Sequence, residues 1–155
     1  MKRKVLITGG AGFIGSHLVK TYLDEGYDVV VVDKKAKPKH HKSALVQYYQ
    51  QDITQPGLDE IFKREKPDII NHHAALIHVP DSFQNPVEYT RTNVLATINL
   101  LELAKQYKIQ QFIFASSAAV YGNSKTQPLT ETMPTKPDSF YGLDKLLSEY
   151  YIQLY

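Results

Sequence analysis

The chain has 155 residues, one domain's worth of material, with a formal charge of +2 and no cysteine. Disulfides, iron–sulfur clusters, thiolate zinc sites and a cysteine nucleophile are therefore excluded. Apolar residues make up 43% and charged residues 22%, ordinary globular usage, and so mild a charge points neither to nucleic acid nor to an anionic membrane.

No run approaches the roughly 18 consecutive apolar residues of a membrane span. The opening apolar run breaks at Thr8-Gly9-Gly10, too soon for an export signal, so the expected location is cytoplasmic. Val5, Leu6 and Ile7 make a first strand ended by the glycines. Ile14, Leu18 and Tyr22 recur at four-residue intervals, one stripe of a helix that stops near Gly26. Four consecutive valines, 29–32, suit a parallel strand covered on both faces. A third strand is expected at 45–51, a short helix at 58–66 closed by Pro67, and a fourth strand at 69–74. A long helix follows over 86–107, with Val94, Ile98 and Leu101 on one face, and then a fifth strand at 112–115. Residues 122–139 carry Pro128, Pro134 and Pro137 among many Ser and Thr, a long loop of the kind that is usually functional. The last segment, 140–155, reads as helix with two apolar stripes, Leu143/Leu147/Tyr151 and Leu146/Tyr150/Leu154. This alternation predicts an α/β fold, a Rossmann-type doubly wound parallel sheet.

Three glycines stand between the first strand and the first helix, where each has a use. Gly9 permits a tight turn, Gly12 lets the backbone approach a pyrophosphate, and Gly15 allows close helix–strand packing. The anion would rest on the helix N-terminus. No Gly-Lys-Ser/Thr follows, which excludes a triphosphate P-loop. Asp33 closes the valine strand, placed to accept hydrogen bonds from both hydroxyls of an adenosine ribose and to repel a 2′-phosphate, so NAD is favoured over NADP. Lys34 and Lys35, opening a basic run over 34–42, are in turn placed to pair with a 2′-phosphate, which leaves NADP open.

Ser117 follows the fifth strand, at the carboxyl edge where such folds keep their ligands. Tyr141 and Lys145 are four apart on a helix and share a face. An ammonium beside a phenol favours the phenolate; lowering a phenol by ~3 pKa units requires roughly 4 kcal/mol. The pair is suited to take a proton from an alcohol while hydride leaves the same carbon, with Ser117 hydrogen-bonding the reacting oxygen. No metal site is expected: His72 and His73 are adjacent on a strand and point apart, and His40-His41 has no acidic partner. Tyr48-Tyr49 and Tyr150-Tyr151 read as buried amphipathic side chains rather than base-stacking platforms, so no nucleic-acid partner is expected.

Residues 8–17, Asp33, Asp52-Ile53, 67–75, Asn93, 114–122 and the series Pro128, Glu131, Pro134, Pro137, Ser139-Phe140-Tyr141-Gly142 and Lys145 carry a wider resemblance. From Lys4 onward the chain resembles the extended short-chain dehydrogenase/reductases, the NAD-dependent epimerase/dehydratase family. The resemblance implies that Tyr141 is the catalytic base and acid, that Lys145 holds the nicotinamide ribose and tunes Tyr141, and that Ser117 assists at the substrate oxygen. It also implies that Phe13 and Ile14 give backbone to the pyrophosphate, that His73, Ala74, Ala75, Leu76 and Asn93 line the coenzyme, and that Lys34, Asp52 and Ile53 sit at its adenosine end. Ala118-Ala119 stand where dehydratases and many decarboxylases of the family carry an acidic residue. In lacking it, and in residues 71–77, the chain is similar to the branch that epimerises UDP-sugars such as UDP-glucose at C4. Ile77 stands where some epimerases carry lysine. The implied reaction is deprotonation of the sugar 4-hydroxyl by Tyr141, hydride transfer from C4 to NAD, and return of hydride to the other face.

Family members usually run to about twice this length. The resemblance thus implies that residues 1–155 are an incomplete NAD-binding Rossmann domain, truncated before its last strands and the C-terminal substrate lobe, with little or no turnover alone. A non-catalytic dinucleotide-binding module and another NAD-dependent nucleotide-sugar dehydratase or reductase are the alternatives. An exposed sheet edge beside the fifth strand and a wide apolar last helix predict self-association, first as a homodimer. Underlying the whole reading is a diphosphate seated on the amides of the first helix, with its redox ring facing the phenol of Tyr141.

Overall fold

The structure, a computed structural model, describes residues 2–36 and 45–155. Lys37, Lys39, His40, His41 and Lys42 of the basic run lie outside the described residues. The chain divides into two compact units: Met1–Ala74 with Glu102–Ala115, and Ala75–Leu101 with Ser116–Tyr155.

The first unit contains β1 (Lys4–Thr8), α1 (Phe13–Asp24), β2 (Asp28–Asp33), β3 (Val46–Gln50), α2 (Leu58–Glu65), β4 (Ile69–His72) and β5 (Gln111–Phe114). All pairings are parallel, in the order β3-β2-β1-β4-β5. In β1, at the centre, Leu6 stands opposite Val30 on one side and Ile70 on the other. Side chains alternate across a sheet. Val5, Ile7, Val29, Val31, Val46 and Ile69 therefore form one cluster, closed by Val19 and the half-buried Leu18 and Tyr22 of α1. Leu6, Val30, Val32 and Ile70 take the alternate positions and are as fully buried. Burial on both faces is why these strands read as unbroken apolar runs.

β4 stops two residues before the sequence suggests. At that point a hydroxyl joins the ladder: His73 N is shared between Thr8 O at 3.2 Å and Thr8 Oγ1 at 3.1 Å, and Ala74 N donates to Thr8 Oγ1 at 3.1 Å. Thr8 is fully buried at the end of β1, and its oxygen also meets His72 Nδ1 at 2.6 Å. His73 turns its ring elsewhere, Nε2 meeting Asn71 Oδ1 at 2.8 Å.

The second unit contains α3 (Val79–Gln84), α4 (Pro86–Thr90), a π-helical turn (Arg91–Leu95), the first residues of α5 (Ala96–Gln106), a 3₁₀ turn (Ala118–Tyr121) and α6 (Phe140–Leu154). The single helix expected over 86–107 is thus α4, the π turn and α5 in succession. α3 has only six residues, with proline near its start, too few to display a stripe. The long proline-bearing loop is pinned at its ends. Lys136 N donates to Val120 O at 3.0 Å, and Gly122, at φ +60, lies so close to Lys136 that an added Cβ would stand 2.0 Å from its carbonyl oxygen.

α6 keeps part of its wide apolar face outside, and Tyr150 and Tyr151, expected to be buried, are exposed. Leu143, Tyr150, Tyr151 and Leu154 are exposed, while Tyr141, Asp144, Lys145 and Ser148 are buried together with Leu146. These inward positions fall at i, i+3, i+4 and i+7, so the helix turns its polar stripe inward. Among the described residues no helix is long and apolar enough to cross a membrane.

Candidate functional site

In the first unit the chain leaves β1 into a turn that only glycine can make. Gly9 has φ +73, and a Cβ there would lie 2.7 Å from Ala74 N. Gly15 is tighter still, its Cβ position 2.2 Å from Gly9 O, so α1 begins in direct backbone contact with the turn. Gly12 differs: a Cβ would meet only Gly9 O, at 3.2 Å, leaving the outer side of the turn open. Gly12 is also the extended N-cap of α1, whose first turn contains no acidic residue. The amides of Phe13, Ile14 and Gly15 precede the first intrahelical bond, Ser16 N to Gly12 O at 2.9 Å, and point out of the helix end. Phe13 and Ile14 hold their side chains in solvent, 82% and 59% exposed. An open, positively polarised helix end behind three glycines is a cradle for an anion.

Asp33 ties this cradle to the end of β2. It is 7% exposed; its Oδ2 accepts from Ala11 N and its Oδ1 from Lys35 N, each at 2.9 Å. Each carboxylate oxygen keeps a lone pair, the acceptor set that a vicinal diol requires. Burial, and then the negative charge of Asp33, push the neighbouring Tyr48 phenol up to about 12, and that phenol donates to Lys35 O at 2.9 Å. Lys34 is exposed. Asp52 is committed to its own turn, accepting from Thr54 N and Thr54 Oγ1 at 2.8 Å. Burial raises its carboxyl, but the Thr54 bonds and the Lys34 charge outweigh that and hold it below the usual range. Ile53 is buried beside it in sequence. Ala74 lies against Gly9, as the close approach there shows.

In the second unit, Ser117 caps the 3₁₀ turn, its Oγ accepting from Ala119 N at 3.2 Å, which leaves the hydroxyl proton to be donated. Ser139 caps α6 in the same way, accepting from Gly142 N at 3.1 Å. The cap starts the helix one residue before Tyr141, and Gly142 lets that first turn approach the Ser117 turn: a Cβ at 142 would stand 2.5 Å from Ala119 O. Tyr141, Asp144 and Lys145 follow on the inward face, 9%, 2% and 4% exposed. Burial pulls the Lys145 ammonium down to about 8, opposed by the charge of Asp144.

Asn93, in the π turn, is 2% exposed. Its carboxamide pairs twice with one peptide unit, Oδ1 accepting from Leu76 N at 2.9 Å and Nδ2 donating to Leu76 O at 3.0 Å. Its own carbonyl accepts from Thr97 Oγ1 at 2.6 Å and from Ser148 Oγ of α6 at 3.0 Å. Asn93 therefore fixes the backbone around Leu76 and braces α6; any role toward a ligand passes through residues 75–76. Thr8, Asp144 and Gly142 are the structural contributors that pattern reading left without a role. Their only sequence signals are a hydroxyl at the end of a buried strand, and an acid and a glycine on the inward face of α6.

Residues 5–155 match the NAD dependent epimerase/dehydratase family. A putative UDP-glucose 4-epimerase of Methanocaldococcus jannaschii is 41% identical over 153 residues, covering 97% of this chain and 50% of that protein. The UDP-glucose 4-epimerase of Thermus thermophilus, solved in complex with NAD, superposes with a TM-score of 0.91 at 35% identity, covering 98% of this chain and 50% of that one. The Thermotoga maritima UDP-glucose 4-epimerase solved with UDP-glucose gives 0.90 at 35% identity, over 97% of this chain and 50% of that one. The chain spans about half the length of the curated relatives it matches.

Proposed function

The chain belongs to the NAD dependent epimerase/dehydratase family, and from that premise we propose that it is the coenzyme-binding and proton-transferring part of a UDP-sugar 4-epimerase. One observation carries the reading: the buried Asp33 carboxylate is bonded to the Ala11 amide within the glycine turn, so ribose and diphosphate acceptors are built as one piece. The cradle fits a dinucleotide, because the outer side of Gly12 is open and the α1 end carries no acidic residue to repel a phosphate. The amides of Phe13, Ile14 and Gly15 would hold the diphosphate, Asp33 the adenosine ribose, and Lys145 the nicotinamide ribose. NAD, when bound, supplies hydride acceptance and return at C4 of the sugar.

The chain's own residues handle the proton. Tyr141 takes it from the sugar 4-hydroxyl and gives it back, the Lys145 ammonium favours the phenolate during that transfer, and Ser117 donates to the reacting oxygen. Lys145, at about 8, is still mostly protonated at neutral pH. Ala118 and Ala119 put no carboxyl beside Ser117, which favours simple return of hydride over elimination. Such a protein is read as cytoplasmic, in keeping with its lack of cysteine, and as a homodimer through its exposed apolar helix residues.

Calorimetric titration of the chain with NAD and with NADP tests the proposal. Saturable NAD binding is expected, with NADP weaker and the preference levelled by Asp33→Ala. A folded chain that gives no binding isotherm with NAD overturns the reading.

A further inference from the structure

We propose that Tyr48 is a specificity-determining positioning residue: its hydroxyl latches the turn after β2 onto β3, and so keeps the Asp33 carboxylate a diol acceptor that shuts out a 2′-phosphate. The inference deepens the reading of Asp33 as the adenosine-ribose acceptor and rests on it. Every residue it uses lies in the first unit.

β2 and β3 are parallel neighbours, with Val31 opposite Tyr48 and Asp33 opposite Gln50. Tyr48 and Gln50 are two apart and share a face of the sheet. The half-buried Tyr48 ring packs against the cluster to which Val29, Val31 and Val46 belong, which fixes where its hydroxyl stands. That hydroxyl donates to Lys35 O at 2.9 Å and lies 3.5 Å from Ala36 O. Gln50 Nε2 donates to Lys34 O at 3.3 Å. Two side chains of β3 thus take up two consecutive carbonyls of the turn. The peptide between Lys34 and Lys35 is held at both ends, because its N–H is the one that Asp33 Oδ1 accepts at 2.9 Å.

The two anchors of the carboxylate differ in firmness. Asp33 Oδ2 is bonded to Ala11 N within the glycine turn, where close backbone contacts leave no slack. Oδ1 is bonded to a turn whose residues, Lys34, Lys35 and Ala36, are all exposed, so packing does not hold it. Its position is set by the hydrogen bonds from β3, and the Tyr48 bond is the shorter of the two. Burial and the Asp33 charge push the phenol up to about 12, which keeps it a donor throughout the neutral range.

The same turn carries the two cations that suit a 2′-phosphate. Accepting that group requires the Asp33 carboxylate to withdraw and a lysine ammonium to close in, and both movements take the turn away from β3. A ribose diol requires neither. The latch therefore opposes NADP and leaves NAD unhindered. The loss of one neutral hydrogen bond corresponds to about a fivefold change in such an equilibrium.

Tyr48→Phe keeps the ring in the core and removes only the hydroxyl. In the coenzyme-free chain, amide exchange at Lys35 is expected to quicken about fivefold. In calorimetric titrations, with NADP measured as a competitor of NAD, the ratio of the NADP to the NAD dissociation constant is expected to fall by a similar factor. A phenol that serves stability alone weakens both coenzymes alike and leaves that ratio in place. An unchanged ratio, or unchanged exchange at Lys35, in folded Tyr48→Phe overturns the proposal. Should that variant not fold, Gln50→Ala, on an exposed side chain of the edge strand, decides: the ratio is expected to fall by about twofold or more, and a ratio that holds overturns the proposal equally. NAD binding with an unaltered ratio removes the role of Tyr48 alone, whereas a native chain that does not bind NAD removes the functional reading and this inference with it.

Discussion

A buried lysine leaves a mark on stability, because the proton it sheds on folding is one that the unfolded chain retains. For Lys145 the folded value is about 8 against an ordinary 10.5. Between those two values the unfolded state holds more protons, so the Lys145 contribution to stability rises with pH across the window. The shift corresponds to roughly 3 kcal/mol as an order of magnitude. Below pH 8 the ammonium is an unfavourable occupant of its site. The stability difference between the native chain and Lys145→Met, measured by urea unfolding at pH 7.5 and again at pH 10, is therefore expected to move in favour of the native chain by about 2–3 kcal/mol. A difference that does not change with pH contradicts burial as the cause of the shift.

Elements show where composition is informative and where it misleads. The central strands β1 and β2 were legible because the sheet is covered there on both faces: in Val5-Leu6-Ile7 and in the valines of β2 every side chain is buried, so no alternation is needed to find them. The end of β4 was not, since a single threonine hydroxyl, rather than a turn residue, joins the ladder there. The glycine cradle and Asp33 were legible as spacing on a strand–turn–helix frame. The π turn was not, because nothing in the apolar period of 86–107 marks the extra residue. α6 misled most. Apolar periodicity predicts burial when the apolar stripe meets a core, but here the inward stripe is Tyr141, Asp144, Lys145 and Ser148, and the docking is made possible by Gly142 instead. Replacing that glycine with alanine forces a Cβ to within 2.5 Å of Ala119 O, backbone that cannot rotate away. Gly142→Ala is expected to destabilise the chain by about 1–3 kcal/mol and to raise amide exchange at residues 117–122, where the Ser117 turn lies. Exchange rates there that match the native chain contradict a close-packed contact.

At the scale of the whole molecule, the exposed apolar side chains are unevenly distributed. In the second unit Phe83 of α3, Val87 of α4, and Leu143, Tyr150 and Leu154 of α6 are all between 41% and 83% exposed. Phe83 and Phe140 already stack edge to face, 5.5 Å between centroids, and with Leu143 they line one groove. Scattered apolar residues on a surface need no explanation, but several on neighbouring helices, two of them with rings in contact, are the mark of a surface that is covered in use. A second copy of the chain is the simplest cover, since a two-fold contact needs only one self-complementary patch. β5, an edge strand of the sheet, offers a separate route to pairing, and the two are distinguishable. Self-association through α6 is expected to be seen in sedimentation equilibrium and to be lost on placing charge there as Leu143→Glu with Tyr150→Glu, which leaves the sheet untouched. An unsubstituted chain that remains monomeric at high concentration refutes the association, and a doubly substituted chain that still dimerises moves the contact from α6 to the sheet edge.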